Sequence, residues 1–223
     1  MKRRGFFVYI TGIDGSGKTT LAKLLTKSLN KNGFAYRYVY CGFLPVLWRP
    51  FMDLGNLLLL RKKDRFKDYT GYVNKKKELL KKHPLWAKMY RDITILDCIP
   101  QIFFKVKLPL SHGIDIVCDR YFYDTIINMA PNLSYGKDEI CRIIAKWTSL
   151  FPKPDQIFLL DVPEKVAYSR KNDIPNIEYL RERRYLYLHM AQSLNAIILD
   201  GTKSLEYLIN TMQEVILSKW NKK

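Results

Sequence analysis

Hydrophobic and polar positions along this chain follow two rhythms. Short apolar runs at Phe6 to Thr11, Ala35 to Cys41, Asp115 to Cys118, Gln156 to Val162 and Ala196 to Leu199 read as strands, being rich in β-branched and aromatic residues. Between them lie longer stretches with apolar residues three and four apart. Leu21, Leu24, Leu25 and Leu29 predict a helix that stops near Asn32-Gly33, and Phe51 to Leu60 predicts another. Leu85 to Phe104 has helical spacing with a kink expected at Pro100, and Gly113 closes that segment before the third strand. Tyr123 to Met129 and Asp138 to Leu150 read as helices separated by Pro131 and Gly136. Pro163-Glu164 opens a helix, Asn176 to Ala191 forms a long one, and Leu205, Leu208, Ile209, Met212 and Ile216 mark one face of a closing helix over Ser204 to Lys219. Strands alternating with helices imply parallel βαβ units, hence an α/β fold with one doubly wound, five-stranded parallel sheet flanked by helices. With no linker or repeat in view, residues 1–223 are expected to form one domain.

Composition supports a self-sufficient core. The 223 residues are 48% hydrophobic and 13% aromatic, enough to fold without disulfides or metal. The four cysteines, Cys41, Cys98, Cys118 and Cys141, form no C-x-x-C pair, which points to a reducing, cytoplasmic setting. The three histidines show no metal-ligand spacing. No run reaches the length of a membrane span, so no membrane partner is expected. Charge changes the picture more: 38 Lys and Arg against 21 Asp and Glu leave +17, which favours anionic partners. Much of the excess lies in a basic insert around 61–84, with Arg61-Lys-Lys63, Lys75-Lys-Lys77 and Lys81-Lys82. A solvated face is the ordinary reading of such runs.

The candidate chemistry starts where the first strand ends. Gly12-Ile-Asp-Gly-Ser-Gly17-Lys18-Thr19 is a complete G-x-x-x-x-G-K-[ST] phosphate loop between a strand and a helix. Its glycines let consecutive N–H groups face one anion, Lys18 adds a cation for the β and γ phosphates, and Thr19, followed by Thr20, offers a hydroxyl to Mg²⁺. A nucleotide is the expected ligand, with Gly12, Asp14, Gly15, Ser16, Gly17, Lys18, Thr19 and Thr20 around its phosphates. Asp14 is unusual among anion-binding amides unless it accepts a hydrogen bond or positions the metal. Asp119-Arg120-Tyr121 follows the third strand, where ligands bind in open α/β sheets.

The phosphate loop, Asp119-Arg120-Tyr121, Pro154-Asp155-x-Ile-x-Leu-Leu-Asp161-Val and an Arg170-led basic turn before a long helix resemble, in that order, the thymidylate kinase family of nucleoside monophosphate kinases. The resemblance spans nearly the whole chain and implies phosphoryl transfer from ATP to a nucleoside monophosphate, dTMP first. It implies that Asp119 holds Mg²⁺ through water with Thr19, that Arg120 lies near the acceptor phosphate and that Tyr121 belongs to the acceptor site. Asp14 would meet the acceptor's sugar, and Gly201-Thr202 would border the donor adenine. Because Gly15 follows Asp14 where some members have Arg, the catalytic arginine is expected in a lid around 170–177, as Arg170 beside Lys171. Catalysis would then rest on Lys18, Asp14, Arg120 and Arg170. Dimerisation through the 85 to 104 helix is a further expectation.

Three departures leave the acceptor open. The family's Arg-x-Pro element after strand two is replaced by Phe43-Leu44-Pro45, with arginine arriving at Arg49-Pro50. Cys98 stands near the position of a second family arginine, leaving Arg49 and Arg91 as candidate replacements, and Thr11 stands where most members have Glu. Cysteine cannot replace a guanidinium fork on a phosphate. A nucleoside or another small acceptor therefore stays open. So does a non-catalytic ATP-binding module that holds nucleic acid through the basic insert.

Overall fold

The computed structural model describes residues 3–42, 77–78 and 80–220. The expected helix at Phe51 to Leu60, Arg49 and most of the basic insert lie outside the described residues. Five strands form the sheet: β1 (Phe7–Thr11), β2 (Tyr36–Tyr40), β3 (Asp115–Asp119), β4 (Gln156–Asp161) and β5 (Ile197–Asp200), all parallel, in the order β2-β3-β1-β4-β5. β1 is central and buried at every residue, which explains its unbroken apolar run.

Strand periodicity divides the interior into two cores. Val8 and Ile10 of β1, Val117 of β3 and Phe158 and Leu160 of β4 face α1 (Lys18–Lys31) and the closing helix, whose Leu208, Met212 and Ile216 complete that layer. Phe7 and Tyr9, Ile116 and Cys118, and Ile157 and Leu159 face the opposite layer. That layer is built from α2 (Pro84–Ile102), α3 (Leu108–Ser111), α4 (Phe122–Leu133), α5 (Lys137–Trp147), α6 (Glu164–Ser169) and α7 (Ile177–Ser193), and the closing helix is α8 (Leu205–Trp220). Trp220 on α8 donates its indole N–H to Asp115 at 3.0 Å, and Asp115 also accepts from the Phe6 backbone N–H.

Two prolines sit differently from the sequence reading. Pro131 does not bound its helix: α4 runs through it to Leu133, because Ala130 and Leu133 are buried and their packing outweighs one missing amide. After Pro100, inside α2, the chain does not leave helix at Phe104 but continues through a π turn over Phe103–Lys107 into α3. Among the described residues no disulfide forms, Cys41, Cys98 and Cys118 are buried, and no helix is long and apolar enough to cross a membrane.

Register sets the site. Ile10 pairs with Asp119, Tyr40 with Asp119 and Thr11 with Leu159, so the loops after β1 and β3 leave the same edge side by side. That edge is the crevice outside the carboxyl ends of the strands, where the central strand has one neighbour on each side of the topological switch. The α1–α8 layer supports it from below. Replacing the fully buried Leu25 of α1 with Ala is expected to cost about 2–5 kcal/mol, read as a lower urea midpoint at unchanged slope.

Candidate active site

The phosphate loop turns at the end of β1 and is seated on α6. Gly15 has φ +80°, and a Cβ there would lie 2.1 Å from the Ala167 carbonyl oxygen, so only glycine fits. Ser16 N–H donates to the Ile13 carbonyl at 3.2 Å, and Lys18 Nζ donates to the same carbonyl at 3.0 Å. Gly17 leads into α1 with no side-chain cap and no acidic residue in the first turn, which leaves those amides for an anion. Gly12 and Ser16 are buried at the loop's base, whereas Thr20 is exposed on the first turn of α1.

The last residue of β3 supplies a carboxylate. Asp119 is fully buried, and its Oδ2 accepts the Thr19 hydroxyl at 2.6 Å and the Tyr38 hydroxyl at 3.1 Å. Its Oδ1 is buried with no hydrogen-bond partner, an orphaned anionic oxygen beside a hydroxyl. Oxygen donors of this kind suit Mg²⁺, which takes one or two protein ligands and substrate phosphates.

Asp14 joins the two halves. Arg120 Nη2 donates to Asp14 Oδ1, Tyr179 of α7 donates to Oδ2 at 3.1 Å, and Lys18 Nζ stands 3.8 Å from Oδ1. Burial alone would raise the Asp14 carboxyl, but Arg120 and Lys18 outweigh it and hold it at about 2. Burial, then the Arg120 charge, pushes the Lys18 ammonium down to about 8. Arg120 itself sits at φ 65°, a left-handed conformation that costs a non-glycine residue energy and recurs at ligand sites.

On the far side of Asp14 opens a cavity of about 280 Å³ whose wall includes Asp14, Arg120, Asp124, Tyr179 and, from α4, Asn128 and Asn132. α2 contributes Tyr90 and Thr94 to it. Arg91 is not in the wall: its Nε is bonded to Asp92 at 2.7 Å and its Nη1 lies 3.5 Å from the Tyr135 hydroxyl. Tyr121 is fully buried in an aromatic cluster with Phe7 and Phe151, its hydroxyl on the Pro152 carbonyl, so only its backbone meets the site. Cys98 lies behind the wall with its Sγ 3.4 Å from the Thr94 carbonyl and 3.8 Å from the Thr125 hydroxyl, and burial pushes its thiol up to about 12.

Of the other expected residues, Arg170 is bonded to the phosphate loop. Arg170 caps α6 and reaches the Ser16 carbonyl at 3.4 Å, while Lys171 pairs with Asp173 at 3.1 Å. Gly201 is buried, its N–H on the Asp161 carbonyl at 2.7 Å, and the Thr202 N–H and hydroxyl both donate to Asp200. Arg184 clamps α7 to the end of β4 and to α6, with bonds to Asp161 at 2.7 and 2.9 Å and to Glu164 at 2.7 Å.

Among the residues at the site that escaped the sequence reading are Asp124, Tyr38 and Tyr179. Asp124 carried a faint signal, since it lies three residues into a helix opened by Tyr121, the capping-box position. The two tyrosines carried none, because an aromatic on a strand or helix looks like core. Arg183 adds to Tyr179, stacking its guanidinium 3.5 Å from the ring centroid.

Comparison with known proteins finds relatives of this chain. The family model for adenylylsulphate kinase matches residues 4–42, the β1, phosphate loop, α1 and β2 unit. Over nearly the whole chain, relatives are similar: a probable thymidylate kinase of Sulfurisphaera tokodaii is 31% identical over 95% of this chain and 96% of its own length. A probable thymidylate kinase of Metallosphaera sedula is 30% identical, covering 94% of this chain and 91% of its own. A thymidylate kinase of Thermosipho melanesiensis is 26% identical over 94% and 96%.

The ion pairs of Asp14 make a prediction about acid stability. Because its folded value of about 2 lies below the ordinary 3.8, it stabilises the fold above about pH 4 and that contribution is lost as pH falls through 2. A loss of about 2 kcal/mol between pH 4 and 2 is expected in urea titrations, with Asp14→Asn flattening that segment.

Proposed function

Because this chain belongs to the thymidylate kinase family, we propose that it transfers the γ-phosphoryl group of ATP to dTMP, with the donor on the phosphate loop and the acceptor in the cavity beyond Asp14. The observation that carries this reading is the Asp14 junction. Its carboxylate lies within reach of Lys18 on the donor side and is bonded to Arg120 on the acceptor side, so two phosphate-binding cations face one another across one anchor. Phosphoryl transfer asks the protein for alignment and positive charge rather than for covalent chemistry.

In this scheme an oxygen of the acceptor phosphate attacks the γ-phosphorus, and the bond to the β–γ bridging oxygen breaks to leave ADP and dTDP. Lys18 leaves the Ile13 carbonyl for the β and γ phosphates. Arg120 holds the acceptor phosphate, and Asp14 with Tyr179 stands toward its sugar. Arg170, already on the Ser16 carbonyl, brings a cation to the developing charge as the 170–177 segment closes and excludes water. Gly201-Thr202 borders the donor base. Thr19 and Asp119 are the residues to hold Mg²⁺, the orphaned Asp119 Oδ1 supporting that assignment. Bound there, Mg²⁺ would neutralise charge on the β- and γ-phosphate oxygens. Four free cysteines fit a reducing, cytoplasmic setting.

A nucleoside acceptor is the second reading, and one observation favours it. Among the described residues, Arg120 is the sole arginine or lysine in the cavity wall. A nucleoside needs no further phosphate-binding cation.

ADP release measured with ATP, Mg²⁺ and a panel of nucleoside monophosphates and nucleosides separates the two. Turnover confined to dTMP or a close relative is expected, and turnover with nucleosides alone would replace the leading reading. Lys18→Ala should lower kcat by roughly 100-fold or more while the protein still folds, as read by circular dichroism. Arg120→Ala should raise the KM for dTMP by about tenfold or more while the KM for ATP changes by less than about twofold.

A further inference from the structure

Asp124 is a buried anion to which the proposed reaction gives no task. Its Oδ2 accepts the Tyr9 hydroxyl at 2.6 Å and the Tyr121 backbone N–H at 2.7 Å, and its Oδ1 accepts the Thr11 hydroxyl at 2.9 Å and the Tyr187 hydroxyl at 2.8 Å. A carboxylate offers about four acceptor positions, and all are taken. Although Asp124 borders the cavity, it has no lone pair left for a substrate hydroxyl, and it is no base. What these bonds do is fasten together β1, α7 and the turn that follows Arg120.

That turn is where alignment is most demanding. The left-handed backbone of Arg120 is held on both sides: its own N–H donates to the Ile10 carbonyl at 3.2 Å, and the next N–H donates to Asp124. The guanidinium is bracketed too, with Nη2 on Asp14 and Nη1 3.9 Å from Asp124 Oδ1. A long cation fixed between two carboxylates has its fork already aimed, and pre-aimed donors lose less entropy on binding a phosphate.

We propose that Asp124 is a positioning residue for acceptor binding: its buried carboxylate fixes the backbone and the guanidinium of Arg120 together, so that the fork points into the cavity before the acceptor arrives. This rests on the reading that Arg120 holds the acceptor phosphate. What matters is then a carboxylate in this pocket, not its point of attachment. Thr11 provides a way to move it, because a glutamate at position 11 carries its carboxyl two bonds beyond the place of the threonine oxygen, into the space Asp124 occupies.

The test compares Asp124→Asn, Asp124→Ala and the double variant Thr11→Glu with Asp124→Ala, measuring the KM for dTMP, the KM for ATP, kcat and thermal melting. Asp124→Asn keeps the shape and loses the charge. It is expected to raise the KM for dTMP by about tenfold with the KM for ATP changed by less than about twofold. Asp124→Ala should do at least as much, and the relocated carboxylate should recover most of that loss. Equal rises in both KM values, or a folded double variant no better than Asp124→Ala, would overturn the proposal. So would melting of all three variants below the assay temperature, which would make Asp124 a residue of the fold alone. Arg120→Ala serves as the reference: if it leaves the KM for dTMP unchanged, the role of Arg120 fails, whereas if it raises that KM and Asp124→Asn does not, only the role of Asp124 fails.

Discussion

This site depends on five charges gathered in one crevice, three of which, Lys18, Asp119 and Asp124, are buried. Lys18 and Arg120 share one crevice with Asp14, Asp119 and Asp124, and none of them could enter it alone, since an unpaired buried ion costs several kcal/mol. Arg120 is bonded to Asp14, Lys18 lies 3.8 Å from Asp14 and Asp124 lies 3.9 Å from Arg120, while Asp119 is held by the hydroxyls of Thr19 and Tyr38. The carboxylates outnumber the cations by one, and Asp119 Oδ1 is left without a partner, so the cluster is complete for folding yet short of positive charge.

The fold delivers these charges through strand parity. Along β1, residues 8 and 10 feed one core, while Tyr9 and Thr11 face the other and reach α4 with their hydroxyls. The same alternation on β3 ends at Asp119, opposite Ile10, so that the two loops carrying Asp14 and Arg120 begin at one level. A one-residue change of face would turn Tyr9 and Thr11 away from Asp124, or Asp119 away from Thr19. Hydrophobic burial on two sides of β1 therefore sets electrostatic geometry at its end.

How much of this was legible in the sequence varied with the range of the interaction. The five strands, their parallel arrangement and the phosphate loop were readable because each is written in consecutive residues: apolar runs, glycine spacing, Lys18 and Thr19. Asp119 and Arg120 were readable from their place after a strand. Asp124 was not, because its meaning comes from Tyr9, Thr11 and Tyr187, up to 115 residues away, and an aspartate in the first helical turn ordinarily caps. Arg91 illustrates the converse. Its helix supplies Tyr90 and Thr94 to the cavity, but a neighbouring Asp92 engages its guanidinium, a rotamer choice that periodicity does not encode. Pro131 was misplaced for a related reason: local propensity ends a helix there, and tertiary packing carries it two residues further.

The seating of Gly15 on the Ala167 carbonyl closes one route for this chain's future variation. With 2.1 Å between that oxygen and any added Cβ, a loop arginine beside Asp14 is unreachable by single substitution. α6 would have to withdraw first, and α6 is clamped by Arg184 through Glu164. Moving the cation of Arg170 into the loop is thus a multi-step change whose first steps loosen the contact beneath the phosphate loop, and the partition of charge between loop and segment is locked by sterics rather than by chemistry.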